Sequence, residues 1–503
     1  MLAKYFILTI YFFVLFFIGY VAARKVSSIK DYFVGGKALG FWVAAFSSRA
    51  TGSSAWALLG LTGMGSLFGI HAFWVVLGTV LGEGVAWFLM AKPFKRLTDK
   101  YDSITVPDYL VSHFHARSHT LRILAATALS LFVVIYVSAQ IDATGTAFET
   151  FLGWNYFTGA IVGFLIVVAY LYFGGFLAVA WSDVFQGIIM VAGLVALPVF
   201  TLAAIESPSE ISEKLYSIDP GLLNIWGSSE GFSLINLSRA IGFLMIGLGF
   251  LGSPQLFVRF MSVKNEKELD KGKWVSVSLT FMMNSSAVMI GILGRFLFTE
   301  PGVDPIELLG NGGQNVLILL AESVMPAMLS GIYIAAVLSA IMSTVDSLLI
   351  VASSAVTRDF YQQIFHPYMP DIKLSAMSRK VTFLLAIFSL TLALLVAIYS
   401  PTRTIFWFVI FGWSGIAATF CPMILLSLFW KKYNEKGAIA SMVMGFISVP
   451  FFKFFAPALP VIGPYFLYIA ELFPSFILAI LAGVVISLTF SGKQKIAQKP
   501  LPG

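Results

Sequence analysis

Apolar runs of about twenty residues, the length a membrane-crossing helix needs, recur along the whole chain and are separated by short polar connectors. Read at that length, candidate helices start near residues 5, 39, 69, 121, 156, 178, 232, 274, 326, 380, 404, 437 and 466. The expected fold class is therefore an all-α polytopic membrane protein of about thirteen transmembrane helices.

Three runs depart from a plain lipid-facing pattern. Ala335 to Tyr361 carries small residues and hydroxyls where leucines would be ordinary. Ser343, Thr344, Asp346 and Ser347 fall within about one turn, and helical spacing lets Ser343, Asp346 and Ser347 share a face. That face suits a small hard cation, because such ions take oxygen ligands and an acid at bilayer depth is usually functional. The competing reading is close helix packing with hydroxyls bonded back to the preceding turn. Phe46 to Trp56 places an Arg, a Gly and several hydroxyls at the centre of the second span, and the seventh repeats the anomaly with Gly247, Gly249, Gly252, Ser253 and Pro254. Both read as broken helices lining a cavity. Five spans separate them, and breaks at matching places in two halves point to a five-plus-five inverted-repeat transporter core.

Other polar positions inside the spans are Glu83, Tyr136, Gln140, Asp142 and Asp183, and of those on the fourth span Tyr136 is the best placed to line a cavity. Gly174 and Gly175 supply a tight turn between the fifth and sixth spans. Gly65 and Gly69 are spaced for helix packing, and Pro107 suits the first turn of a loop helix.

Composition agrees with a membrane protein: 58% of the 503 residues are hydrophobic and 11% charged. A single cysteine, Cys421, excludes an internal disulfide and a thiolate metal site. His113, His115 and His119 lie in a basic loop without acidic or Cys companions, which argues against a metal there. If the N-terminus is outside, roughly 25 of the 32 Lys and Arg fall on the cytoplasmic side and about five opposite. The net charge of +7 thus reflects topology rather than nucleic-acid binding. Arg24 and Lys25 follow the first apolar run instead of preceding it, so that run reads as a retained helix and not a signal peptide. The acid-tinged loops 206–231 and 298–325 read as solvated outside loops, and the C-terminus as a short cytoplasmic basic tail.

Together, Asp31 to Leu39 (DYFVGGKAL), Thr105 to Leu110 (TVPDYL), Gly174 to Asp183 and Ala340 to Tyr361 resemble the sodium/solute symporter family, within it the sodium/proline symporters most closely. The likeness runs from about residue 30 to near 430. It implies a sodium-coupled symporter, not an enzyme, that imports a small organic solute by alternating access in the cell membrane. Proline or another amino acid leads; a different carboxylate, a sialic acid or a sugar is the alternative, as is a transporter-like sensor module. The division that follows is residues 1–38 as first helix and connector, 39–430 as inverted-repeat core, and 431–503 as two further helices and tail.

The resemblance implies a first sodium site from the carbonyls of Ala50, Ser53 and Ala340 and the hydroxyls of Ser343 and Thr344. A second sodium site, present in some relatives, would use Asp183, Ser343, Asp346 and Ser347. Ser54, Trp56, Tyr136 and Phe250 would line the substrate pocket. Two departures stand out. Relatives show Ala-Ser-Asp-Met-Ser-Gly-Trp where this chain has Ala50-Thr51-Gly52-Ser53-Ser54-Ala55-Trp56, and Trp-Gly-Leu-Gly-Tyr where it has Ile246-Gly247-Leu248-Gly249-Phe250. The lost aspartate is expected to be offset by Asp346 across the cavity. Arg49 could pair with Glu83 or Asp142, bridge Asp346, or receive a substrate carboxylate, with a structural salt bridge the favoured expectation.

Overall fold

A computed structural model describes residues 2–490 except Ser27, Arg117 and Glu230, and leaves the side chains of 170–174, Ala327 and Asp371 undescribed; the basic tail at 491–503 lies outside the described residues. Those residues form helices and no strands, with one isolated bridge between Leu39 and Val263. Eleven helices are long and apolar enough to cross a membrane. One of them, Phe41–Lys100, is a hairpin interrupted at Gly69, and a shorter apolar helix lies at Tyr156–Ala169. With both taken into account the arrangement is compatible with thirteen crossings. We label them α1 (Leu2–Ala23), α2 (41–68), α3 (73–100), α4 (Thr120–Leu152), α5 (156–174), α6 (Gly175–Ala204), α7 (234–262), α8 (Glu266–Phe298), α9 (Met328–Phe365), α10 (Ile372–Tyr399), α11 (Ile405–Phe429), α12 (Glu435–Ala458) and α13 (Leu472–Thr489).

The hairpin is legible from contacts along α8. Down α3, Lys92, Glu83 and Thr79 meet Asp270, Ser276 and Asn284 in turn, so α3 runs antiparallel to α8. Arg49 and Gly65 of α2 meet Thr280 and Val288, so α2 runs the other way. Gly69, expected to serve packing, is instead the turn, at φ +55°. Gly175 makes the second turn, between α5 and α6, with φ +55°; a side chain disfavours that backbone region.

Burial sorts the helices. Every residue in the apolar window of α9 is buried, against 28% in α1 and in α10, so α9 is the axis of the bundle. Its Ala and Ser content is the reason, because small side chains let neighbouring helices close on all sides without a hydrophobic drive from lipid. The outer helices carry their large apolar residues outward, as Phe13, Phe17, Phe388 and Val485 do. Tyr11 ties α1 to this axis, accepting from Gln186 and Ser339 at 3.1 Å each. Thr105 caps the loop helix Val106–His113, with proline in its first turn, and donates to Asp359 at the end of α9. Arg122 bridges Asp108 and Asp359 at 2.8 Å each, fastening that loop to α4 and α9.

Candidate functional site

Both anomalous spans are broken where the sequence reading expected. In α2 the backbone leaves the helix at Ser54, with φ +46° and ψ −171°. In α7 a 3₁₀ stretch at Ile246–Leu251 ends at Gly252, and Pro254 opens the next helical piece. A break at Ser54 removes the N–H groups of Ala55 and Trp56 from the carbonyls of Thr51 and Gly52. Buried backbone groups must then find other partners. They do: Ala55 N–H donates to Gln140 Oε1 at 3.0 Å, Thr344 Oγ1 donates to the Thr51 carbonyl at 3.0 Å, and the Trp56 indole donates to the Gly52 carbonyl at 3.0 Å.

This repair brings oxygens from two helices together. Ser343 Oγ lies 3.2 Å from the carbonyls of both Ala50 and Ala340, and Thr344 Oγ1 lies 3.0 Å from the Ala340 carbonyl as well as from that of Thr51. Ala50, Ala340, Ser343 and Thr344 are thus brought together, and all are fully buried. Ser53 differs. Its hydroxyl and carbonyl bond Arg49 and Trp56 N–H, while the carbonyl that Thr344 reaches is that of Thr51. The donor set is hard oxygen throughout, the chemistry of an alkali cation and not of a transition metal. Among the described residues no group of three or more His, Cys, Asp or Glu is placed to hold a metal ion.

Beside it lies the second cluster. Asp183 Oδ2 accepts from Ser47 at 2.6 Å, and Ser347 Oγ sits 2.8 Å from Thr51 Oγ1 and 3.3 Å from Asp346 Oδ1. An arginine enters this cluster, and it is Arg259, at the end of α7. Arg259 Nη2 lies 3.0 Å from Asp183 Oδ2 and 2.7 Å from Thr51 Oγ1, and also donates to Ser347 Oγ; its Nε donates to Ser47. Arg259 and Asp183 are both 0% exposed. Asp183 Oδ1 remains without a hydrogen-bond partner.

Arg49 forms no salt bridge among the described residues. Nε donates to Ser53 and Nη1 to Thr280, both at 2.9 Å, while Nη2 is buried without a partner. The acids it was expected to meet are engaged elsewhere. Glu83 accepts from Trp87 and Ser276, and Asp142 accepts from Tyr156 and pairs with Arg403.

Of the four residues expected to line the substrate pocket, Ser54, Tyr136 and Phe250 meet around the break, while Trp56 turns its indole to the Gly52 carbonyl and packs on Phe406. Ser54 Oγ is 3.4 Å from Tyr136 Oη and from Gln140 Nε2, and the Phe250 ring lies against the same turn of α2 at Gly52. Trp413 of α11 completes this wall: its ring packs edge-on to Phe250 and Tyr136, and its indole donates to the Ile246 carbonyl at 3.2 Å. The aromatic face absent at Ile246 is thus supplied from another helix. Sequence reading missed Trp413, Arg259, Thr51 and the role of Gln140. Only Gln140, already noted as polar within a span, carried a signal.

A family model described as Sodium:solute symporter family matches residues 32–445. The high-affinity proline transporter PutP of Bacillus subtilis is 33% identical over 86% of this chain and 88% of its own. The sodium/proline symporter of Escherichia coli K12 is 30% identical over 97% of this chain and 94% of its own. Among solved structures, a Na⁺-coupled sialic acid symporter in a substrate-bound outward-open state superposes with a TM-score of 0.78 at 20% identity, covering 97% of this chain and 98% of that one. That likeness shows the fold, an inverted-repeat transporter core with breaks in paired helices. The oxygen clusters at the breaks, the multi-pass helical bundle and these relatives agree, and the chain belongs to the sodium:solute symporter family, a sodium-coupled secondary transporter and not an enzyme.

Proposed function

We propose that this chain imports proline or a related amino acid together with sodium, by alternating access about the breaks in α2 and α7. The observation that carries the reading is the meeting of the Ala50 and Thr51 carbonyls with the Ser343 and Thr344 hydroxyls. A cation bound there couples the broken helix to the central one, so filling the site and ordering the adjoining solute pocket become one event. Ala50, Ala340, Ser343 and Thr344, with Ser53 at its edge, form sodium site 1; Ser54, Trp56, Tyr136 and Phe250 receive the solute. The substrate class is supported by the named activities of the PutP and Escherichia coli relatives.

Asp183, Ser343, Asp346 and Ser347 form a second cation site in which the Arg259 guanidinium supplies the positive charge in this conformation. The orphaned Asp183 Oδ1 is the oxygen a second sodium would use once Arg259 withdraws. Residues 39–430 act as the transport core, with α1 and α12–α13 flanking it. The N-terminus is outside and the C-terminus cytoplasmic. The clustering of Lys30, Lys37, Lys92 and Arg96 in ion pairs with Asp102, Asp99, Asp270 and Glu266 at one end of α2, α3 and α8 supports that orientation. Moving one charge inward is worth about 2.3 kcal/mol per 100 mV, before any sodium gradient is added.

The test is uptake of labelled proline into proteoliposomes. An inward sodium gradient with an inside-negative potential is expected to drive accumulation above the external concentration, and a choline gradient is not. Equal uptake under both gradients would refute sodium coupling of proline.

A further inference from the structure

Arg49, beside the α2 break, makes no direct ion pair among the described residues, the nearest acid, Glu83, acting on it only across space. It is 1% exposed, is held by Ser53 and Thr280 through neutral oxygens, and directs Nη2 to no acceptor. A buried cation without an anion is costly, and a donor stranded in low dielectric adds to that cost. Such a group persists where a ligand completes it. The direction of Nη2 is fixed by geometry: a Cβ placed on Gly52 would lie 3.5 Å from it and 3.3 Å from the Phe250 ring, on the turn that precedes the Ser54 break. The guanidinium carbon stands 5.9 Å from the centre of that ring. The free N–H therefore lies beside the Phe250 ring, and the place where the proline symporters' motif carries an aspartate is lined here by Phe250, Arg49 Nη2 and Leu256.

We propose that Arg49 Nη2 anchors the carboxylate of the transported solute, so that this transporter selects small carboxylates by their anionic group. The inference rests on the transport reading above and specifies its solute. A guanidinium fixed by two neutral hydrogen bonds is already oriented, so one charge-assisted bond forms at little ordering cost. The solute's negative charge would also offset that of a sodium held at the neighbouring Ala50 carbonyl, which lets both enter a dry site together. The four pocket residues include no acid, so an ammonium on the solute is read by hydroxyls and ring faces, and a solute lacking one still binds.

The test is sodium-dependent binding to the full-length purified protein, followed by thermal shift, with proline, lactate and N-acetylneuraminate as carboxylates and prolinamide, which keeps the ammonium but not the carboxylate, and neutral glucose as probes without an anionic group. The wild type is expected to bind at least one carboxylate and neither probe that lacks one. Arg49→Gln is expected to lose at least tenfold in affinity for that carboxylate while its sodium-induced shift is retained. Gly52→Asp, which keeps the arginine and gives it an internal anion, is expected to raise the melting temperature and abolish carboxylate binding, and it serves if Arg49→Gln does not fold. Wild-type binding of prolinamide as tight as that of proline, or carboxylate affinity unchanged in either variant, overturns the proposal. So does binding of glucose alone, or of no probe. Sodium-driven uptake of an uncharged solute would overturn it while leaving sodium coupling intact.

Discussion

Replacing Arg259 with glutamine tests whether the second cluster is a cation site occupied by a tethered charge. In the wild type the guanidinium and Asp183 are both fully buried and 3.0 Å apart, with Ser47, Thr51 and Ser347 completing the shell. Removing one partner of such a pair costs about 3–5 kcal/mol, because an unpaired carboxylate stays behind in low dielectric. A free cation can relieve that penalty. At a sodium concentration one hundred times its dissociation constant, binding contributes about 2.7 kcal/mol, more than half of the loss. Arg259→Gln is thus expected to be strongly destabilised in choline and largely rescued in sodium, with a sodium-dependent gain in melting temperature larger than the wild type's. The sodium Hill coefficient should rise from near one towards two. The double variant Asp183→Asn/Arg259→Gln removes both charges, and its sodium gain should fall back to the wild-type value. If Arg259→Gln gains no more from sodium than the wild type, or the double variant keeps the enlarged gain, the cluster is a structural ion pair and the reasoning is refuted.

Two further outcomes follow from the geometry. Ser343→Ala or Thr344→Ala removes a hydroxyl that joins α9 to the α2 carbonyls, so each should raise the sodium concentration for half-maximal uptake about tenfold or more, the loss of about one charged hydrogen bond, with the fold intact; unchanged sodium dependence in both would move site 1 elsewhere. Gly247→Ala sets a methyl 1.9 Å from the Gly78 carbonyl oxygen, where α3 and α7 meet backbone to backbone, and should destabilise by about 1–3 kcal/mol, whereas Gly84→Ala, with nothing within 4 Å, should be neutral or stabilising; equal melting temperatures for the two would contradict the packing.

The order of the apolar spans, the breaks in α2 and α7 and the hydroxyl row on α9 were legible in the sequence, because lipid makes length and polarity decisive: about twenty apolar residues must cross, and a Gly, Ser and Thr cluster within them must have backbone to repair. Helical spacing alone grouped Ser343 with Asp346 and Ser347; the pairing of Ser343 with Thr344 came from the resemblance to the family. What the sequence left open was which long side chain reaches which acid. For Arg49 the sequence offered Glu83, Asp142 and Asp346 without choosing among them. Only the crossing of α7 over α2 and α6 brings Arg259 to Asp183, while Arg403, just ahead of α11, takes Asp142, and Arg49 is left to the neutral oxygens of Ser53 and Thr280. Trp413 is the same case. Its spacing within α11 is that of any buried aromatic, and it becomes a wall of the pocket because Gly249 of α7 admits its ring. Contacts between helices far apart in sequence are set by packing of the whole bundle, which no local periodicity encodes.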